Sequence, residues 1–147
     1  MFPIRKILFP TDFSEHSRAA FEVACALARD YRAELLVVHV HRPPQVFAPD
    51  GIALAVPEEP LDLRARLAQV RPADSQVKVE YHLAEGDPAT EILSIAQSRG
   101  SDLIVMGTHG STGLSRLLMG SVAESVLRKA PCPVLTVRNP VKFTDRA

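Results

Sequence analysis

Four of the seven glycines in the chain lie between residues 107 and 120, in a segment that is rich in hydroxyl side chains. Glycines let a backbone turn tightly and approach a ligand without a Cβ clash, and N–H groups in such turns can bind anions. Ser111, Thr112 and Ser121 add hydroxyl donors. A helix beginning near Ser121 would add unpaired N–H groups and a positive dipole end. The segment therefore predicts a phosphate-binding loop, although its spacing alone fits a simple glycine-rich connection equally well.

This pattern is neither a P-loop nor a dinucleotide fingerprint. The GxxxxGK[ST] motif is absent, so no lysine is placed to reach the β- and γ-phosphates. GxGxxG is absent as well, and the glycines follow the fourth apolar run rather than the first. Because 17 basic residues balance 17 acidic ones, nucleic acid and anionic membrane are not expected as partners. Phosphates would have to be held by backbone amides and a helix end.

A second group of candidates lies near the N-terminus, where Pro10, Thr11 and Asp12 follow the first apolar run. In a doubly wound sheet, ligands bind beyond the carboxyl ends of the strands, where the strand order reverses. If strands one and four are neighbours, these residues meet Met106 and Gly107 in one crevice. Asp12 would then accept from a ribose hydroxyl or an adenine amine, or would bond free N–H groups of the following helix, and both roles are compatible.

Metal and redox chemistry are not favoured. Cys25 and Cys132 form neither a CxxC motif nor a Cys/His pattern with the spacing of zinc ligands. His39 and His41 share one strand face without a third ligand, which favours solvated or capping roles. No titratable residue adjoins His109 in sequence, so we favour a hydrogen-bonding role over acid–base catalysis.

The elements that must position these residues alternate along the chain. Segments of helical periodicity separate five short runs of strand character, at residues 7–9, 35–40, 77–83, 103–106 and 134–137, of which the third alternates like a half-buried strand and the others are apolar. Such alternation predicts the α/β class, with a parallel sheet and right-handed crossovers. Asp87 and Pro88 should begin the third helix, and Gly100 should follow its end. Ser121 and Glu124 have the spacing of a capping box.

The chain has 147 residues, of which 46% are hydrophobic and 23% charged, so we expect one domain over residues 1–147 and no wholesale disorder. We interpret the Pro-rich segment 42–60 as an irregular surface loop and residues 139–147 as a loose C-terminal tail. A signal-type sequence is absent, and every apolar run is far shorter than the roughly 18 residues of a membrane span. These features favour a cytoplasmic protein.

Taken together, the motifs resemble the universal stress protein family over roughly residues 3–138. The match is to the family's nucleotide-binding signature G-x2-G-x9-G-[ST], formed here by Gly107, Gly110, Gly120 and Ser121. The opening segment 7–14, the Gly86-Asp87-Pro88 turn and the closing segment 122–135 resemble the family too. The Pro-rich segment is the least typical part.

The resemblance implies a doubly wound, Rossmann-like sheet of five parallel strands in the order 3-2-1-4-5, with helices on both faces. It also implies an adenine nucleotide as ligand, here ATP, with Mg²⁺ held only through the phosphates. Asp12 would contact the adenosine end, Pro10 and Thr11 would shape the pocket, and Val40 would present its backbone to adenine. The crevice and the phosphate site would be formed by Met106, Gly107, His109, Gly110, Gly120, Ser121 and Val122.

Family members usually pair through the last strand. An apolar edge strand at Val134–Val137 is a liability unless it is paired, so we expect a homodimer. The leading hypothesis is an ATP-binding stress-response or signalling module that an unidentified protein partner recognises. One alternative is a slow ATPase or phosphotransferase in which Asp12 or His109 positions a water molecule; another is a structural dimer with a non-functional nucleotide site. ATP, ADP, AMP and cyclic AMP would share much of the pocket.

Overall fold

The computed structural model describes residues 3–42, 45–51, 53–55, 60–109 and 119–138. Predicted elements that fall on the remaining positions, including Gly110 and the tail 139–147, lie outside the described residues. The elements in chain order are β1 (Lys6–Pro10), α1 (Glu15–Tyr31), β2 (Glu34–His41), β3 (Gln45–Phe47), β4 (Ala53–Ala55), α2 (Pro60–Ala68), β5 (Val79–Glu85), α3 (Pro88–Ser98), β6 (Leu103–Gly107), α4 (Ser121–Lys129) and β7 (Val134–Val137).

The main sheet has five parallel strands in the order β5-β2-β1-β6-β7. Counted among these five strands, that order is 3-2-1-4-5, so the predicted topology is confirmed. Pro10 pairs with Val38 and Gly107 pairs with Val137. Because the strands are parallel and paired in this register, the carboxyl ends of β2, β1, β6 and β7 lie together at one end of the sheet.

Helices cover both faces of the sheet because successive side chains of the central strands point to opposite sides. On one face, Ile7 and Phe9 pack with alanines of α1 and with Leu67 of α2. On the other face, Leu8 packs with residues of α3 and α4, including Val126. The small alanine side chains of α1 allow this helix to lie close to β1 and β6.

Both ends of α3 follow the local sequence. At the end of α3, Gly100 has a φ of +64°, and the N–H groups of Gly100 and Ser101 bond the carbonyls of Gln97 and Ala96. This is a Schellman motif with glycine in the left-handed position, as predicted. At the start of α3, Asp87 accepts hydrogen bonds from the backbone N–H and the hydroxyl of Thr90, which confirms the predicted cap.

The Pro-rich segment differs from the prediction of an irregular loop. Within residues 42–60, β3 and β4 form an antiparallel pair, with Val46 opposite Leu54. The pairing is possible because the prolines flank the strands and remove no ladder N–H group. Pro49 lies in the connecting turn, which is closed by the N–H of Gly51 on the Ala48 carbonyl at 2.8 Å.

The third main strand begins later than the alternation of apolar residues suggested. Val77 was expected to be its first residue, but the strand runs from Val79 to Glu85. An Asp74 turn explains the difference, because the Asp74 side chain accepts from the N–H of Gln76 and its carbonyl accepts from the N–H of Val77. Val77 is nevertheless buried, so the alternating pattern begins at this residue because the turn buries it, before the strand starts.

Candidate functional site

A cavity of about 280 Å³ opens at the carboxyl ends of β1, β2 and β6. Within the sheet, β2 and β5 lie on one side of β1, and β6 and β7 lie on the other. The strand order therefore reverses at β1. Open α/β sheets bind their ligands at such switch points. The sequence-predicted site residues that line the cavity are Pro10, Thr11, Asp12, Val40, Met106, Gly107, His109, Gly120, Ser121 and Val122.

The cavity also contains residues that sequence reasoning did not assign to it: Ser17, Val38, His39, Pro88, Ile92, Thr108 and Ala123. Val38 was detectable from the sequence, because it lies two residues before Val40 and so shares its strand face. Pro88 and Ile92 are four residues apart on α3 and so share a helix face. The contribution of α3 depends on how this helix packs over the sheet, which leaves no motif in the sequence.

The first turn of α4 provides donors for an anion. Its N-cap is Gly120, so the N–H groups of Ser121, Val122 and Ala123 have no carbonyl partner within the helix. The first helical bond is from the N–H of Glu124 to the Gly120 carbonyl, at 3.0 Å. All three residues with orphan N–H groups line the cavity. The helix dipole adds partial positive charge at the same place.

The capping box predicted for α4 is wrong. Ser121 is the first helical residue rather than the cap, and the Glu124 carboxylate pairs with Arg128 at 2.7 Å, one turn further along the helix. The position of the cap is set by a tertiary contact, since the Gly120 N–H donates to the Thr108 carbonyl at 2.7 Å. This bond also joins the two ends of the glycine-rich segment at the cavity. The Arg128 pair balances the charge of Glu124 near the helix N-terminus.

The end of β1 is fixed by hydrogen bonds around Thr11, which is buried. The Thr11 N–H donates to the Val38 carbonyl at 2.8 Å, and its hydroxyl oxygen lies 3.2 Å from that of Ser17. One carboxylate oxygen of Asp12 accepts from the N–H of Ser14 at 2.9 Å. Asp12 therefore interacts with the start of α1 while it lines the cavity, in agreement with the second of its two predicted roles, the bonding of N–H groups at the following helix.

His39 is half-buried and hydrogen-bonded rather than solvated. Its Nδ1 lies 2.7 Å from the Thr11 carbonyl oxygen. Because a carbonyl only accepts, Nδ1 carries the proton, and Nε2 of the neutral ring is an acceptor. Burial lowers the pKa of His39, an effect that the hydrogen bond to Thr11 partly opposes. The ring thus favours the neutral form, in which Nε2 can accept a hydrogen bond, and His39 lines the cavity.

Gly107 lies at a close approach of the β6 and α1 backbones. A Cβ at this position would lie 3.1 Å from the carbonyl oxygen of His16 in the first turn of α1. Strand alternation explains the direction, because Met106 faces α3 and α4 while position 107 faces α1. This glycine of the signature therefore lets β6 and α1 meet beside the cavity.

Within the described ranges, no group of three or more His, Cys, Asp or Glu side chains could hold a metal ion. Among the same residues, no helix combines the length and the apolar character that crossing a membrane requires. The cavity is lined mainly by apolar residues, hydroxyl residues and glycines, and its titratable lining residues are Asp12, His39 and His109.

Comparison with known proteins identifies the family. A model described as the universal stress protein family matches residues 3–138. The chain belongs to this family. A universal stress protein of Methanocaldococcus jannaschii is 38% identical over 144 residues, which cover 94% of this chain and 84% of the relative.

Solved structures of universal stress proteins share the fold. One from Lactobacillus plantarum has a TM-score of 0.72 and 25% identity, and the match covers 92% of this chain and 98% of that one. Another, solved in complex with cAMP, has a TM-score of 0.67 and 21% identity, with coverage of 92% and 98%. The five-stranded Rossmann-like sheet is thus common to these proteins and to this chain.

Proposed function

We propose that this universal stress protein binds an adenine nucleotide, with ATP as the principal candidate, in the cavity at the carboxyl ends of β1, β2 and β6. The observation that carries the proposal is the position of the α4 N-terminus, where the residues with orphan N–H groups line the same cavity as Asp12. A nucleotide has an anionic end and a neutral end, and the two sides of the cavity match them. The related fold solved with cAMP supports the choice of an adenine ligand.

The phosphates would lie at α4. Backbone N–H groups at Ser121, Val122 and Ala123 are charge-neutral donors, and hydrogen bonds from such donors to an anion are stronger than bonds between neutral groups. The glycine signature, including Gly110 outside the described residues, would complete the phosphate site. Mg²⁺, when present, would be held through the phosphates of the nucleotide, since this cavity offers no cluster of ligands among its described residues.

The nucleoside would lie over the ends of β1 and β2. Val38, Val40 and Ile92 supply apolar walls for a base. The backbone of Val40 and the acceptor nitrogen of His39 suit the edge of adenine, which carries both donors and acceptors. Asp12 would accept from the ribose hydroxyls. We assign Pro10, Thr11 and Met106 to the shape of this part of the cavity.

We further propose a homodimer formed through β7, which is an edge strand of the main sheet. Leu135 on this strand is 40% exposed, and symmetric pairing of β7 would cover it. The nucleotide site and β7 are linked directly, because the Thr108 N–H donates to the Val137 carbonyl. A nucleotide-dependent dimer surface could be recognised by a protein partner in the cytoplasm, where the unpaired Cys25 and Cys132 would remain reduced.

Isothermal titration calorimetry with ATP and Mg²⁺, AMP and adenosine tests the nucleotide proposal. The variant Ser121→Pro removes one orphan N–H, and proline suits this first helical position because Gly120 already has an extended ψ of 153°. Ser121→Ala is the matched control, since it removes only the hydroxyl. We expect Ser121→Pro to bind ATP about tenfold more weakly than Ser121→Ala, which corresponds to one charge-assisted hydrogen bond.

Adenosine affinity should be equal in the two variants, because the lost N–H would contact only phosphate. If Ser121→Pro and Ser121→Ala bound ATP equally, the phosphates would not lie at α4. If the unmodified protein bound none of the three ligands at millimolar concentration, the nucleotide proposal would be wrong.

A further inference from the structure

A second cavity, of about 460 Å³, lies on the face of the sheet that α1 and α2 cover, between these two helices. We refer to it as the arginine cavity. Its apolar wall is formed by Phe9, Phe13, Phe21 and Val70, which belong to or pack against the hydrophobic core on this face. Its polar wall contains Arg18, Arg66 and Arg71 together with one acidic residue, Glu15. The cavity is therefore aromatic on one side and cationic on the other.

In the part of the chain that the structure describes, the salt bridges pair other arginines, and none of them involves Arg18, Arg66 or Arg71. Arg66 lies over the ring of Phe13, 4.4 Å from its centroid, and Arg71 donates to the carbonyl of Ala68 at 2.8 Å. All three side chains are exposed, so an anion can reach them without breaking a buried ion pair.

The arginine cavity is separate from the nucleotide cavity but shares a wall with it. Thr11 and Ser17 line both, and their hydroxyl oxygens are 3.2 Å apart. Phe13 adopts a left-handed φ of 64° and places its ring between Arg66 and His39, with ring centroids 4.3 Å apart for Phe13 and His39. Gln69 and Val70 line only the arginine cavity and therefore distinguish the two sites.

We propose that the arginine cavity binds a small amphipathic anion, namely a carboxylate carried on an aromatic or short aliphatic body. The apolar body would pack on the phenylalanine side chains, and the carboxylate would bond the guanidinium groups, whose planar donors match its geometry. Inorganic anions would gain only the second interaction, and uncharged hydrocarbons only the first. The paired chemistry of the walls thus favours a ligand that has both parts.

Amide chemical-shift titrations of the ¹⁵N-labelled protein test this proposal with three probes: 1-naphthoate, the uncharged 1-naphthalenemethanol and inorganic phosphate. We expect saturable shifts at Arg18, Gln69 and Val70 with 1-naphthoate, and affinities weaker by about tenfold or more for the other two probes. Equal affinity for phosphate would identify a simple anion site, and equal affinity for the alcohol would identify a simple apolar one. Either result would overturn the proposal.

The matched variants are Arg66→Gln and Arg64→Gln, which alter exposed arginines two residues apart on α2. Only Arg66 lines the cavity, so only Arg66→Gln should weaken 1-naphthoate binding, again by about tenfold. Because Arg66 also contacts Phe13, Arg18→Gln provides a second test that leaves this contact intact. Unchanged affinity in both cavity variants, or shifts confined to Val40, Ile92 and His109, would place the ligand elsewhere and refute the proposal.

Discussion

Replacement of Gly107 tests whether this glycine is needed for packing between β6 and α1. In Gly107→Ala the new Cβ would lie 3.1 Å from the backbone oxygen of His16, tighter than ordinary van der Waals contact. Backbone cannot move as a side chain can, so the strain should cost about 1–3 kcal/mol, the usual range for an overpacked core. The lower backbone entropy of alanine in the unfolded chain offsets about 0.5–1 kcal/mol of this.

The net loss for Gly107→Ala is therefore about 1 kcal/mol. Gly107→Val places two further methyl groups beside the first turn of α1, and its loss should approach 3 kcal/mol. Strand propensity alone predicts the reverse, because valine is favoured in strands and glycine is not. The order of stability among the unmodified protein, Gly107→Ala and Gly107→Val thus separates the effect of packing from that of strand propensity.

Urea unfolding monitored by circular dichroism measures the order. With a slope of about 1–3 kcal/mol per molar urea, the valine variant should unfold at a midpoint lower by about 1 M or more. The alanine variant should lie between it and the unmodified protein. A valine variant as stable as the unmodified protein would show that α1 does not constrain position 107, and the reasoning would be refuted.

Other predictions concern a histidine, a helix cap and the edge strand. Burial lowers the pKa of His39, so the unfolded chain binds the proton more tightly, and stability should fall as pH drops through the ordinary value of 6.5. In thermal melts from pH 8 to 5, the melting temperature of His39→Gln should fall less than that of the unmodified protein, and equal falls would contradict this assignment. Hydrogen bonds from Thr90 are the largest cause of the lowered pKa of Asp87. Asp87→Ala should therefore lower the melting temperature at pH 7, whereas Asp87→Ser, which keeps an N-cap oxygen, should restore most of the loss. The difference in melting temperature between the unmodified protein and Asp87→Ala should disappear at acid pH, where the carboxylate is protonated. Leu135→Lys on β7 should convert the dimer to a monomer, as measured by analytical ultracentrifugation. Leu127→Lys, at a residue of similar exposure on α4, should leave the dimer intact. An unmodified protein that sediments as a monomer would exclude the β7 dimer.

The alternation of strands and helices and much of the site could be predicted because they depend on local sequence, whereas the strand order was implied by the family resemblance. Strands buried on both faces are continuous apolar runs, and the Asp87-Pro88 and Gly100 signals depend on backbone geometry within one or two turns. The switch-point rule placed the end of β1 beside the glycine-rich segment on the condition that strands one and four are neighbours, which the pairing of β1 with β6 confirms. For these features, local preference and tertiary structure agree.

Features that depend on tertiary contacts could not be predicted. The spacing of Ser121 and Glu124 fits a capping box, but the bond between Gly120 and Thr108 shifts the helix start by one residue. His39 was expected to be solvated or to cap a backbone group, and its partner could not be named because the Thr11 carbonyl lies just beyond the end of a different strand, β1. The arginine cavity combines residues of α1 and α2 that are about fifty positions apart in the sequence, so no motif marks it.

The central claim is that an adenine nucleotide binds at the switch point, with its phosphates at the N-terminus of α4. A crystal structure of the protein with ATP and Mg²⁺ tests it most directly. The claim predicts density for the nucleoside beside Asp12, His39 and Val40, and phosphate oxygens within hydrogen-bond distance of the Ser121 and Val122 N–H groups. Nucleotide density at any other place, or an empty cavity at saturating ATP, would contradict it.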